Sequence, residues 1–156
     1  MSILNKTETA KLLQKIKEKF QTGNLKITIP PPSFDDMNAE ILEYKLNKSI
    51  TVSFRVKTNQ TNPMGFMQGG YIAAAFDNAF GPLSYLVAKK PTTTIDMNIQ
   101  YIRSVANLQT VIVTAEIQAR GNSTIHMIAE MKTDKGKLLA TASTNLLILR
   151  LLSSNE

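Results

Sequence analysis

The stretch "NPMGFMQGGYIAAAFDNAFG", from Asn62 to Gly81, collects groups able to handle an activated carbonyl. Gly69 and Gly70 open a run with helical character, and Asp77 follows Gly69 by eight residues inside it. The first amides of a helix have no intrahelical acceptor and carry partial positive charge. Glycine at such a position lets a ligand come close to the backbone. The amide of Gly69, with that of Gly70, is therefore suited to hold a carbonyl oxygen as it becomes an oxyanion. Asp77 is the matching nucleophile, or the general base for a water. Set among Phe76, Phe80 and alanines, it is expected to be buried, and burial raises the pKa of a carboxyl group. An unpaired buried charge is strongly disfavoured, so an acid in mid-helix asks for a chemical role.

The spacing carries a further expectation. Eight residues of helix rise by about 12 Å, whereas groups acting on one carbonyl carbon must lie within about 3–3.5 Å of it. Gly69 and Asp77 of one chain do not serve the same carbonyl. Two antiparallel copies of the helix bring Gly69 of one chain to Asp77 of the other, which predicts an obligate dimer with two sites.

The elements that position these residues follow from periodicity. Residues 7–20 place Leu12, Leu13, Ile16 and Phe20 on one helical stripe, with Thr7 as N-cap and Gly23 as terminator. "IPPPS" at 29–33 is a stiff extended connector. Residues 39–45 and 49–57 read as strands about a turn at Asn47-Lys48. Residues 69–88 form a helix apolar on nearly every side, hence central and buried, which Pro82 kinks or ends. Four alternating strands follow: one with Ile95, Met97, Ile99 and Tyr101 on a single face, one with Val111 to Ala119, one with Ile125 to Met131, and a long last strand over 137–152. Asp96 and Asn98 fall on the solvated face, and His126 points outward or into a subunit contact. Short connections make the sheet mostly antiparallel. The fold class is α+β: a curved antiparallel sheet wrapped around one long buried helix, with an N-terminal amphipathic helix over about 6–22 and a core over about 38–150. This is the hotdog architecture, in a single domain spanning 1–156.

Composition narrows the chemistry. The chain has 156 residues, 43% hydrophobic and 19% charged, with no cysteine and one histidine. Disulfides and thiolate metal sites are excluded, and no metal-ligand spacing is present. The net charge is +6, but the lysines are dispersed and no basic stripe alternates with aromatics, so no nucleic-acid partner is expected. No signal peptide or membrane span is expected, and a cytoplasmic location follows by default.

The residues Asn62, Gly65, Gln68, Gly69 and Gly70, with Asp77 nine positions after Gln68, resemble the hotdog acyl-CoA thioesterases of the phenylacetate-degradation (PaaI-like) type. That motif reads Asn-x-x-Gly-x-x-His-Gly-Gly, then Asp or Glu nine residues after the His. "IDMNIQYI" at 95–102 is similar to the strand after the helix in that family, and "ARGNST" at 119–124 to the turn that meets the coenzyme. The resemblance extends over roughly 49–149.

The resemblance implies hydrolysis of acyl-CoA to free acid and CoA, with no cofactor beyond the coenzyme of the substrate. Asp77 would be the nucleophile or base and Gly69 the oxyanion donor across a dimer interface, with assembly to a homotetramer also open. Asn62 would position Gln68 or bind the thioester, and Thr94 would orient the attacking water. Gly70, Tyr101, Arg120, Gly121, Asn122 and Ser123 would bind substrate and coenzyme. The departure is Gln68 in the histidine position: an amide donates a hydrogen bond but does not shuttle a proton. Two other functions compete, a non-catalytic acyl-CoA-binding module, which Gln68 favours, and an acyl-thioester hydratase or dehydratase, which needs a catalytic histidine.

Overall fold

The computed structural model describes residues 2–20 and 27–150. A strand, β1 (Ile3–Asn5), leads into helix α1 (Lys6–Phe20). A short helix α2 (Pro32–Asp36) precedes the hairpin β2 (Glu40–Lys45) and β3 (Ser49–Arg55). The long helix α3 (Gly69–Ala88) comes next, followed by β4 (Thr92–Tyr101), β5 (Thr110–Arg120), β6 (Thr124–Thr133) and β7 (Leu138–Ile148). All ladders are antiparallel, and the strands lie in the order β1-β2-β3-β5-β6-β7-β4. α3 packs against β3 to β7, and α1 packs against β2 and α3. This is the expected hotdog arrangement.

Several local expectations are corrected. The N-cap of α1 is Asn5, not Thr7. Asn5 Oδ1 accepts from the amide of Glu8 at 3.1 Å and Glu8 Oε2 accepts from the amide of Asn5 at 2.9 Å, a reciprocal cap. The strand β1 was hidden by its brevity. The proline-rich connector turns into α2, with Pro32 at its first position, where a missing N–H costs nothing. Pro82 does not end α3, which runs on to Ala88 and is capped by Lys89 in the left-handed region. Gly23 and the continuation of the last strand past residue 150 lie outside the described residues. No described helix is long and apolar enough to cross a membrane.

The core lies between α3 and the sheet. Phe76 and Phe80, one turn apart, stack with ring centroids 6.4 Å apart and are fully buried. Val111, Val113, Ala115, Ile125, Met127 and Met131 cover them from β5 and β6, with the expected alternation. In β4 the alternation breaks. The register with β7 shifts between Thr94 and Asp96, so Ile95 is the extra residue of a bulge and is 56% exposed. Met97 and Ile99 pack on the core as expected, but Ile95 does not share their face.

Candidate active site

The loop before α3 is folded by its own polar groups. Asn62 Oδ1 accepts from the amides of Met64 at 3.0 Å and Phe66 at 3.1 Å, and Gly65 takes a φ of +80° that favours glycine. Asn62 thus shapes the loop rather than touching Gln68. Its Nδ2 has no partner among the described residues. The amide of Gln68 donates to the carbonyl of Gln60 at 2.9 Å, which sets the start of the helix.

Gln68 is the N-cap of α3, and its Oε1 accepts from the amide of Gly70 at 3.1 Å. Because an N–H must meet an oxygen, this fixes the amide orientation and turns the Nε2 protons outward. The two glycines therefore differ. The amide of Gly70 is taken by the cap, while that of Gly69 has no acceptor among the described residues. Of the two, the Gly69 amide is the one left open to a ligand in this arrangement. Tyr101 Oη donates to the carbonyl of Gly69 at 3.2 Å. Asn62, Gly69 and Tyr101 line one open cleft of about 360 Å³.

Asp77 belongs to a second group. Its Oδ1 accepts from Thr94 Oγ1 at 2.9 Å. The bulge at Ile95 makes this bond possible: Thr94 and Met97, three residues apart, both face α3, which strict alternation forbids. Asp77 is exposed in the single chain, contrary to the expected burial. Each helical residue turns by about 100°, so Asp77 points away from the core that holds Phe76 and Phe80. Ala73, Gly81 and Tyr85, on the same stripe of α3, are partly buried. Burial, and then the charge of Asp77, raise the pKa of the Tyr85 phenol above its ordinary value. It stays neutral and able to donate.

Asp77 lines a different cleft from Gly69, of about 510 Å³. The chain thus carries an open amide at the tip of α3 and a held carboxylate two turns along it, in separate places. His126 lines neither of these clefts and bonds Asn145 Oδ1 through Nδ1 at 2.9 Å, and Asn145 in turn donates to Asp96 Oδ2 at 2.9 Å. Asp96 is exposed as expected, although hydrogen-bonded.

Arg120, Gly121, Asn122 and Ser123 form the β5–β6 turn, closed by the Gly121 amide on the Thr124 carbonyl at 2.9 Å. Cross-strand partners run Thr94 to Leu146, Leu146 to Ile125 and Ile125 to Arg120. Three strand spacings put Arg120 about 14 Å from Thr94, at the same end of the sheet. Sequence reasoning missed three basic neighbours there. Ile148 donates to the carbonyl of Ser123 at 2.8 Å and Leu149 to that of Pro91 at 2.9 Å, which brings Lys89, Lys90 and Arg150 beside the turn. Neither these lysines nor Arg120 and Arg150 make a salt bridge among the described residues. Tyr85 was also missed, although its spacing of eight from Asp77 places both on one helical face.

Residues 64–140, which hold the helix tip, Asp77 and Thr94, match the thioesterase superfamily. That segment belongs to the superfamily. The chain is similar in fold to the E. coli PaaI protein from the phenylacetic acid degradation operon, at 14% identity and a TM-score of 0.77 over 94% of this chain and 97% of that one. It is similar to a thioesterase from Haemophilus influenzae at 19% identity and a TM-score of 0.73, over 81% and 89%. It also resembles a hypothetical thioesterase from Streptococcus pneumoniae solved with coenzyme A, at 20% identity and a TM-score of 0.67, over 74% and 92%. Variants of that protein with an aspartate or a threonine changed to alanine have been solved. No curated protein sequence matches.

Proposed function

We propose that this chain hydrolyses acyl-CoA thioesters as a symmetric dimer. The observation that carries the reading is the division of α3: an amide with no acceptor at Gly69, and a carboxylate held by Thr94 at Asp77. Across a two-fold axis the Gly69 amide of one chain holds the thioester oxygen while Asp77 of the other acts on the carbon, directly or through a water. Water enters, the carbon–sulfur bond breaks, and the free acid and the CoA thiol leave. Thr94 occupies Oδ1 of Asp77 and leaves Oδ2 for the reaction. Gln68 contributes an amide hydrogen bond but no proton transfer.

The surface supports self-association. β4 is an edge strand, and an unpaired edge is a ready template for a second chain. Ile95 and Tyr101 are each 56% exposed on it, with Met64 and Phe66 exposed at the helix tip. Midway between Gly69 and Asp77 the outward face of α3 carries Ala73, small enough for a partner helix to come close. In such an assembly Asp77 loses the water it faces in the single chain.

The coenzyme fits the basic end of the sheet, where Arg120, Lys89, Lys90 and Arg150 supply charge for its phosphates and Asn122 and Ser123 supply hydrogen-bonding groups. The similar structure solved with coenzyme A supports coenzyme A as part of the ligand.

The deciding experiment is release of CoA thiol from a panel of acyl-CoAs by wild type and Asp77→Asn. The variant is expected to fall by about 10²–10⁴-fold in kcat with its fold intact. Equal rates would remove Asp77 from the mechanism. A second reading, acyl-CoA binding without turnover, is favoured by Gln68, and thermal stabilisation by acyl-CoA without thiol release would establish it. The hydratase reading finds no imidazole in either cleft.

A further inference from the structure

The cleft beside Asp77 has more structure than proton transfer or nucleophilic attack requires. At about 510 Å³ it falls within the roughly 300–1,000 Å³ usual for small-molecule sites. Its α3 wall runs from Asp77 through Gly81 and Pro82 to Tyr85, and its roof comes from α1, the segment around α2, and β2. The superfamily match begins at residue 64, downstream of all three roofing elements. The lining is mainly apolar, with Leu13, Ile29, Phe34, Ile41 and Pro82 prominent.

The roof is fastened to α3. Ser33 Oγ donates to Asn78 Oδ1 at 3.2 Å, and Asn78 Nδ2 donates to Met37 Sδ at 3.3 Å. Phe20 of α1 meets Tyr85 edge-on at a centroid distance of 6.0 Å. Lys6 and Glu40 pair at the rim at 2.6 Å. The cleft is therefore formed in the chain itself, without a ligand to shape it.

We propose that this cleft seats the acyl group of the substrate, with the carbonyl at Asp77 and the chain lying along α3 toward Tyr85. The proposal rests on the thioesterase reading above and names its substrate class. Asp77 and Tyr85 are eight residues apart, so the wall is about 12 Å long, the reach of a straight alkyl chain of about eight to ten carbons. Residues outside the superfamily match thus roof the acyl site, and residues inside it form its α3 wall and perform the reaction.

Gly81 makes the test sharp. It lines the cleft one turn beyond Asp77, and a Cβ added there meets nothing within 4 Å. Leucine at this position gains helix propensity while filling the cleft. The experiment measures kcat/KM for butyryl- to dodecanoyl-CoA on wild type and Gly81→Leu, with circular dichroism and thermal melting as fold controls.

Wild type is expected to gain about fourfold per methylene, the equivalent of about 0.8 kcal/mol, levelling off near decanoyl. In Gly81→Leu the ratio of decanoyl to butyryl kcat/KM is expected to fall by about tenfold or more. A flat wild-type profile, or the same profile in both proteins, overturns the proposal while leaving thioester hydrolysis standing. If no acyl-CoA is cleaved, the thioesterase reading fails, and calorimetry with decyl-CoA, a thioether with no scissile carbonyl, still decides the cleft. Binding tighter than that of coenzyme A, lost in Gly81→Leu, supports it. Equal affinity for both ligands overturns it.

Discussion

The amide of Gly69 can be removed without disturbing the helix it starts. Gly69 is the first residue of α3, where proline is favoured, and Gln68 before it has φ −69° and ψ 142°, a conformation that tolerates a following proline. Gly69→Pro is expected to keep its melting temperature within a few degrees and to lose about 10²–10³-fold in kcat, the usual result of deleting one oxyanion donor. A folded variant with undiminished kcat would take the Gly69 amide out of the mechanism. Gln68 is expected to act differently. Gln68→Ala removes the cap on the Gly70 amide and should lower unfolding stability by about 0.5–2 kcal/mol in a urea titration. The types and spacing of these residues were legible in the sequence. The division of labour between the two glycine amides was not, because it depends on where the Gln68 side chain folds back.

At the scale of elements, the bulge in β4 sets the aim of Thr94. Thr94→Val keeps the branched shape next to the bulge and removes the hydroxyl that donates to Asp77. The variant is expected to retain its sheet signature in circular dichroism and to lose about tenfold or more in kcat, the equivalent of one hydrogen bond to a charged group. Unchanged activity would mean that the Thr94–Asp77 bond is dispensable. The basic end of the sheet makes a separate prediction. Lys89→Glu combined with Lys90→Glu should raise KM for an acyl-CoA by about tenfold through lost phosphate attraction, an effect weakened by added salt. The matching N-acetylcysteamine thioester, which has no phosphate, should keep its KM. Periodicity fixed α3 and placed the core faces of β5 and β6, since long, regular patterns carry the strongest signal. It misjudged Ile95, because one extra residue reverses every face before it.

At the scale of the whole molecule, the separation of Gly69 from Asp77 makes reciprocity testable by mixing. Asp77→Asn and Gly69→Pro are each expected to be nearly inactive alone. When the two are unfolded together at equal amounts and refolded, half of the dimers pair unlike chains, and each such dimer has one intact site. About a quarter of wild-type activity should return. No recovery, with mixed dimers demonstrated by tagged purification, would end the shared-site account.

What the sequence determined was the local vocabulary: a glycine-opened helix, one acid two turns along it, alternating strands, and a spacing too long for one site in one chain. Those features depend on near neighbours, which a linear pattern records. Only the tertiary structure decided that Asp77 faces outward, that Thr94 reaches it, and that α1 and the proline-rich segment roof a cleft beside it. These depend on contacts between residues tens of positions apart, and on a bulge whose place is set by pairing between strands.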